Sequence, residues 1–248
     1  MTEFRFRLAG RVIAVSVQFP STAAFCADYI SDGPVDFSVS VLPADLEDER
    51  ETSIRCAALE GLPPQQFSDA YLERLALYRK IAERMPEYDT VLFHGSALAL
   101  DGRGYLFTAK SGTGKSTHAR LWRECFGPRV MMVNDDKPLL RITEGGVLVC
   151  GTPWTGKHRL GSNAAVPLKA ICLLERSPEN HIEPVSFREA LPKLLQQSYR
   201  PVDAAALGKS LELLHRLGST VELFRLQCNM DPAAAETACA GISGGYLK

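Results

Sequence analysis

Polar and hydrophobic positions alternate in the first third of the chain, which indicates strands. The alternation runs through Phe4–Leu8, breaks at Ala9-Gly10 and then resumes. We therefore predict a β-hairpin over residues 4–17, and the same period predicts another strand over 35–42. The acidic run Asp45–Glu51 could bind a metal or a basic partner, but we interpret it as a solvated loop.

A helical period follows the Pro63-Pro64 pair. Apolar residues recur at helical spacing over residues 67–84, and Ser68 is placed to act as the N-cap. This helix is expected to bridge into the core of the protein. We predict an accessory domain at 1–88, β-rich and including the bridging helix, and a catalytic domain at 89–248.

The second part of the chain alternates short apolar runs with amphipathic segments. The predicted strands cover residues 91–100, 105–108, 129–133, 139–142, 147–150, 168–174 and 220–227. The predicted helices cover residues 117–126, 187–199, 204–217 and 232–240. This pattern predicts an α/β fold with a mixed, twisted sheet around a phosphate-binding loop, beside a small β-rich N-terminal domain.

Composition narrows the class of protein. With 248 residues, of which 46% are hydrophobic, the chain can form a sizeable core. A net charge of -1 argues against binding to nucleic acid or to an acidic membrane. The seven cysteines are scattered without a Cys-x-x-Cys pair, so we expect core residues and not a disulfide framework or zinc site. No apolar leader or membrane-length run is visible, and a cytoplasmic location is expected.

The most informative stretch is Ala109-Lys-Ser-Gly-Thr-Gly-Lys-Ser-Thr117, between a predicted strand and a predicted helix. It matches the nucleotide-binding pattern Gly-x-x-x-x-Gly-Lys-Ser/Thr, with alanine at the opening position. Small residues let N–H groups converge on an anion at the helix N-terminus. Lys115 is suited to the β- and γ-phosphates and Ser116 to Mg²⁺. The alternative is a turn that merely caps the helix. The predicted nucleotide contacts are Ser111, Gly112, Thr113, Gly114, Lys115, Ser116 and Thr117.

A pair of acids, Asp135-Asp136, directly follows the apolar run that ends at Val133. In nucleotide chemistry one carboxylate holds Mg²⁺ and a second accepts the proton of an attacking hydroxyl. Adjacent strand residues face opposite sides, so the two are expected to differ in role. Ser116, Asp135 and Asp136 are the predicted metal ligands. A polar strand end without function is the alternative.

Three further side chains are candidates for the same chemistry. His94 lies one strand before the loop and could hold a carboxylate in its ionised form or reach a phosphate oxygen. Lys157 and Arg159 lie among glycines in a segment that we interpret as a mobile binding loop. They could clamp the acceptor or the transferring phosphoryl group. A partly buried histidine and ordinary surface cations are the simpler alternatives.

His94-Gly-Ser-Ala, the 109–117 loop and Asn134-Asp-Asp136 together resemble the catalytic domain of HPr kinase/phosphorylase. They also resemble the nucleotide core of ATP-dependent phosphoenolpyruvate carboxykinase. The resemblance spans residues 90–175. It implies that Lys115 and Ser116 bind ATP and magnesium, that the Asp pair supplies metal contact and acid/base chemistry, and that His94 supports them.

The chain also departs from HPr kinases. Ala109 replaces a glycine, Thr117 stands where an acid is common, and neither an HPr-docking motif nor that family's N-terminal domain is recognisable. The resemblance therefore implies a kinase with another acceptor, a hydroxyl of a protein or peptide such as a precursor peptide. A carboxykinase and a non-catalytic nucleotide-sensing adaptor are the alternatives. The sequence leaves the acceptor and the oligomeric state open.

Overall fold

The computed structural model describes residues 1–59, 61 and 63–244. The chain forms two compact units, Met1–Arg84 and Met85–Lys248. Residues 245–248, the end of the predicted catalytic domain, lie outside the described residues.

In its described residues, the first unit contains a three-stranded sheet, three α-helices and a 3-10 helix at Ala27–Tyr29. The strands are β1 (Thr2–Leu8), β2 (Arg11–Val17) and β3 (Phe37–Ser40), and the helices are α1 (Pro20–Phe25), α2 (Pro43–Leu59) and α3 (Asp69–Arg84). β1 and β2 form the predicted hairpin, whose turn places Ala9 and Gly10 at positive φ. β3 adds parallel to β2. The small N-terminal sheet is therefore confirmed, whereas the short helix α1 was not predicted.

The interpretation of the acidic run Asp45–Glu51 as a loop is wrong, because this run forms the first turns of α2. The Asp45 carboxylate accepts a hydrogen bond from the Leu42 N–H at 2.7 Å just before the helix. Glu49 is buried and forms an ion pair with Arg79 of α3. Acidic residues that the sequence suggests are exposed to solvent thus stabilise a helix, through a contact at its start and an ion pair with α3.

The second unit is built on a nine-stranded mixed sheet. Its strands are β4 (Thr90–Leu92), β5 (Ser96–Leu100), β6 (Arg103–Thr108), β7 (Val130–Asn134), β8 (Leu139–Thr143), β9 (Gly146–Cys150), β10 (Ala165–Arg176), β11 (His181–Pro184) and β12 (Glu222–Cys228). Its helices are α4 (Lys115–Phe126), α5 (Phe187–Gln197), α6 (Ala204–Thr220) and α7 (Ala233–Ile242). The order is β4-β8-β9-β10-β6-β5-β7, and β12 pairs with β10 and β11. Parallel β6–β10 and β10–β12 pairs among antiparallel neighbours confirm the mixed sheet.

The strand predicted over residues 91–100 is wrong in its middle. β4 ends at Leu92 and β5 begins at Ser96, so residues 93–95 form a break. The two halves have different partners, because β4 pairs with β8 while β5 pairs with β6 and β7. Space at the break is also limited at Gly95, because a Cβ there would lie 3.0 Å from the backbone carbonyl oxygen of Phe107.

Two hydrophobic clusters cover the two faces of this sheet. Along β5, Ala97 and Ala99 belong to one cluster, while Leu98 and Leu100 belong to the other. The first cluster contains residues of α5 and α6, and the second contains residues of α4 and α7. Strand residues therefore alternate between two helical layers. Both faces of the sheet are therefore covered by the hydrophobic core.

The structure shows the state of the cysteines and the length and character of the helices. All seven cysteines are free thiols, and four of them, Cys26, Cys150, Cys172 and Cys239, are buried as core residues. Cys56 and Cys125 are exposed. Within residues 1–59, 61 and 63–244, no helix has the length and apolar character needed to cross a bilayer.

Candidate active site

Several chain segments meet at one edge of the large sheet. β6 and β7 both pair antiparallel with β5, so the carboxyl ends of β6 and β7 lie at the edge where β5 begins. β10 runs parallel to β6 and ends at the same edge. The segments after Thr108, before Ser96 and after Asn134 are therefore neighbours. The carboxyl edge of strands is the usual place for a ligand in an open α/β sheet.

The Gly-rich loop, residues 109–117, joins β6 to α4. Gly112 and Gly114 have φ values of 78° and 125°, a backbone conformation that residues other than glycine rarely adopt. Gly114 is the N-cap of α4, and within the described part of the chain no side chain caps the first helical turn. The N–H groups of that turn are thus placed to bind an anion.

Lys115 bends back across this loop. Its side chain is largely buried, and Nζ donates hydrogen bonds to the carbonyls of Ala109 at 2.8 Å and Lys110 at 3.3 Å. Burial lowers the pKa of Lys115, the charge of Asp136 raises it, and Lys137 lowers it further. An ammonium group has three donors, so one remains for a ligand beside the loop.

Asn134, at the end of β7, holds the acidic pair in place. Its side-chain N–H groups donate to Thr152 O at 3.0 Å and Oγ1 at 3.1 Å, and to Trp154 O at 3.3 Å. Its Oδ1 accepts hydrogen bonds from the N–H groups of Asp136 at 2.9 Å and Lys137 at 2.6 Å. Asn134 is fully buried, so this network fixes the turn that follows β7.

Asp135 and Asp136 have different partners. Asp135 is buried, and its Oδ1 accepts a hydrogen bond from the Gly156 N–H at 2.6 Å. Asp136 Oδ1 lies 3.3 Å from His94 Nε2 and 3.6 Å from Lys137 Nζ. The two carboxylates are therefore held by different neighbours.

His94 lies in the break between β4 and β5, not within a strand as predicted. Its N–H donates to Gln197 O at 2.7 Å, and its carbonyl accepts from Thr108 Oγ1 at 2.8 Å. The next N–H, of Gly95, donates to Asp136 O at 3.0 Å. These bonds join the break to the ends of β6 and β7, which brings the imidazole beside the Asp136 carboxylate.

These groups line one cavity of about 840 Å³. The residues predicted from sequence that line it are His94, Ser111, Gly112, Gly114, Lys115, Ser116, Thr117, Asp135, Asp136 and Lys157. Thr113 instead lines a cavity of about 400 Å³ bounded by other residues of the loop, β10 and the segment after β12. Arg159 is exposed, has a φ of 51° and does not line the large cavity.

Several residues of the cavity were not predicted. Arg120 and Arg123 lie four and seven positions after Ser116 in α4, and all three line the cavity. That helical spacing could have revealed them. Arg176, at the end of β10, donates hydrogen bonds to Gly112 O and to Thr113 O at 3.2 Å, which ties the loop to a third strand. Nothing in the local sequence indicates that contact.

The site has groups that fit a nucleoside triphosphate and Mg²⁺. The uncapped start of α4 and the Lys115 ammonium suit the phosphates, and the exposed Ser116 hydroxyl lies in the same cavity as Asp135 and Asp136. Among the described residues, no group of three or more His, Cys, Asp or Glu side chains could hold a metal. Mg²⁺ commonly takes one or two carboxylates and completes its shell with phosphate and water.

Residues 67–231 match the family model described as SynChlorMet cassette protein ScmC. The chain belongs to this family. The matched segment is about two thirds of the chain and contains every residue of the cavity described above. The ScmC description names no substrate and no reaction, so the chemistry of the site has to be argued from its own groups.

One solved structure similar to this ScmC-family chain is that of the Hpr(Ser) kinase/phosphatase from Coxiella burnetii. The identity is 12% and the TM-score 0.35, over 62% of this chain and 93% of that chain. A likeness this weak assigns no activity. No curated protein matches the chain.

Proposed function

We propose that this ScmC-family protein is an ATP- and Mg²⁺-dependent kinase that transfers the γ-phosphoryl group to a serine hydroxyl of a protein or peptide. One observation carries the proposal. Lys115, Ser116, Asp135, Asp136 and His94 come from three separate segments, and all five line a single cavity. A phosphate clamp, a metal-binding hydroxyl and two carboxylates are the parts that phosphoryl transfer needs.

The Gly-rich loop and Lys115 bind the β- and γ-phosphates in this proposal. N–H groups at the start of α4 point to the anion, and Lys115 Nζ adds its remaining donor. Mg²⁺, held by Ser116 and Asp136, would neutralise charge that develops on the phosphate oxygens. Asp136 suits that role because its neighbours favour its ionised form.

Asp135 is the proposed general base. Gly156 N–H engages Oδ1, which leaves Oδ2 to accept the proton of the acceptor hydroxyl. The acceptor oxygen then bonds to the γ-phosphorus as the bond from phosphorus to the β–γ bridging oxygen breaks. ADP leaves with that electron pair, and the proton stays on Asp135. Lys157, on the same cavity wall as Gly156, would hold the acceptor or the transferring group.

Transfer of ³²P from labelled ATP tests the proposal directly. The acceptors are serine-containing synthetic peptides and any small precursor peptide encoded beside the gene. Lys115→Met should lower ATP affinity about 100-fold or more, because the phosphates lose a buried cation. Lys169→Met is the matched control, since that lysine belongs to β10, pairs with Glu222 and does not line the cavity.

A separate variant tests the role of Asp135 as the general base. Asp135→Asn should keep nucleotide binding and lose transfer by about 100-fold or more, because the amide cannot take the proton. Glu144→Gln, in the exposed turn between β8 and β9, is the control. Unchanged transfer by Asp135→Asn would remove Asp135 from the mechanism. Nucleotide turnover that depends on oxaloacetate would replace the kinase proposal with a carboxykinase activity, and tight ATP binding without transfer to any acceptor would indicate an adaptor.

A further inference from the structure

One face of α4 carries cations away from the proposed phosphoryl site. Ser116, Arg120 and Arg123 follow each other at helical spacing, and all three line the large cavity. Helical rise places Arg123 about 10 Å along the axis from Ser116. The cavity therefore has a row of two cations along α4, one and two helical turns after the proposed metal ligand.

Two of the cations on the cavity are not neutralised by the protein. Arg123 and Lys157 have no hydrogen-bond or ion-pair partner in the described part of the chain. Arg120 pairs with Glu124, but both side chains are more than half exposed, so the pair is readily exchanged for another anion. The cavity's own carboxylates are engaged elsewhere, Asp135 by Gly156 and Asp136 by His94 and Lys137.

The nucleotide does not account for this charge. In the proposed function its phosphates are bound by the loop, the start of α4, Lys115 and Mg²⁺. Arg123 lies about two turns further along α4, and Lys157 extends from the segment that also contacts the proposed base. Both cations line the cavity that also contains the proposed base, so both are available to an acceptor that brings its hydroxyl to Asp135.

We propose that the acceptor is an acidic peptide, with carboxylates within about three residues of the serine that is phosphorylated. This inference rests on the proposed function. An extended peptide advances about 3.3 Å per residue, so three residues span the distance from Ser116 to Arg123. Glu or Asp at those positions would meet Arg120 and Arg123 of α4 and Lys157 beside Gly156, which all line the same cavity. Nucleic acid fits less well, because the whole chain has a net charge of -1.

The test uses peptides that differ only in charge. Each contains one central serine, flanked at the three positions on either side by Glu, Gln or Lys. With wild-type protein the Glu peptide should show a KM about two- to fivefold lower per engaged carboxylate than the Gln peptide, and the Lys peptide the highest KM. High salt should reduce the difference, because these groups are exposed.

Charge reversal identifies the residue. Arg123→Glu should remove or invert the preference for the Glu peptide while leaving ATP affinity unchanged, because Arg123 takes no part in phosphate binding. Arg188→Glu, an exposed cation of α5 outside the cavity, should leave the preference unchanged. Equal KM values for the three peptides, or the same preference after Arg123→Glu, would overturn the inference.

Binding separates this inference from the kinase proposal. Fluorescence anisotropy of labelled peptides, with ADP and Mg²⁺ present, needs no phosphoryl transfer. Selective binding of the Glu peptide without transfer to any serine would refute the kinase proposal and retain the acidic-peptide site. Transfer without charge preference would do the reverse. Single-stranded DNA that displaces the Glu peptide at equal concentration would overturn the inference in favour of a general polyanion site.

Discussion

His94 Nε2 lies 3.3 Å from Asp136 Oδ1, although the two residues belong to different segments of the chain. Burial by itself raises the pKa of Asp136. The hydrogen bond from His94 and the charges of Lys137 and His94 outweigh burial, so the pKa of Asp136 is lower than usual. The carboxylate is therefore ionised at neutral pH, which is the form that binds a cation.

Removal of this imidazole should make the proposed activity more sensitive to acid. In His94→Ala the pKa of Asp136 rises, so transfer should be lost at a higher pH as the pH falls. We expect the acid limb of the pH–rate profile to move to higher pH, with the largest loss of kcat/KM at the acid end and the smallest change near pH 8. Rates between about pH 5 and about pH 9 measure this shift. His181→Ala, at an exposed histidine of β11, should leave the acid limb in place. An unshifted limb in His94→Ala would contradict the prediction.

His118 should make the second unit less stable in mild acid. It is buried beside Trp122, whose Nε1 donates to His118 Nε2 at 2.9 Å, and burial lowers the pKa of His118 to about 4. An unfolded histidine titrates near 6.5, so below that pH the unfolded state takes up a proton that the folded state refuses. The contribution of the neutral His118 to the free energy of unfolding is fully present above about pH 6.5. It decreases towards pH 4, by roughly 3 kcal/mol in total.

His118→Gln should remove this part of the pH dependence. Urea unfolding followed by tryptophan fluorescence measures it, because both tryptophans, Trp122 and Trp154, belong to the second unit. The matched control is His181→Gln, at an exposed position. If wild type and His118→Gln lose stability equally between pH 6.5 and pH 4, His118 is not the residue that titrates.

Asn134 should be required for the stability of the site and of the unit around it. Asn134→Ala leaves the N–H groups of Asp136 and Lys137 and the carbonyl of Thr152 without their partner. Buried polar groups that lose partners typically cost about 2–4 kcal/mol in the free energy of unfolding. Asn180→Ala, which removes one bond to the Asn229 N–H in a turn, should cost less than about 1 kcal/mol. Similar losses in the two variants would argue against a special role for Asn134.

Gly156 should be required for transfer and not for nucleotide binding. A Cβ at this position would lie 3.2 Å from Asp135 Oδ2, so Gly156→Ala must displace the proposed base by a few tenths of an ångström. Misplacement of a reacting group costs about tenfold or more in rate. Gly145→Ala is the control, because its Cβ would approach nothing closer than 3.9 Å. Titration calorimetry with ATP and single-turnover transfer separate the two effects. Loss of ATP binding by Gly156→Ala would show that the substitution disturbs the loop as well.

Much of the local structure could be predicted from sequence. The hairpin of β1 and β2, helix α4 and the end of β7 just before Asp135 follow from alternation, helical period and turn residues within short windows. The prediction of a loop over Asp45–Glu51 failed because Glu49 pairs with Arg79, which lies thirty positions further along the chain. The prediction of one continuous strand over residues 91–100 failed because its two halves pair with different strands. The local pattern of apolar residues carries no information about those partners.

The features that can be read along the chain are those that depend on neighbouring residues. Gly112 and Gly114 permit positive φ, Lys115 follows them at the start of a helix, and two carboxylates follow a strand. That these features meet in one place follows from the pairing of distant strands. β5 pairs antiparallel with both β6 and β7, so the segments that follow those strands share one edge, and the break before β5 brings His94 to Asp136. Strand pairing is a long-range interaction, and it turned separate motifs into a single cavity.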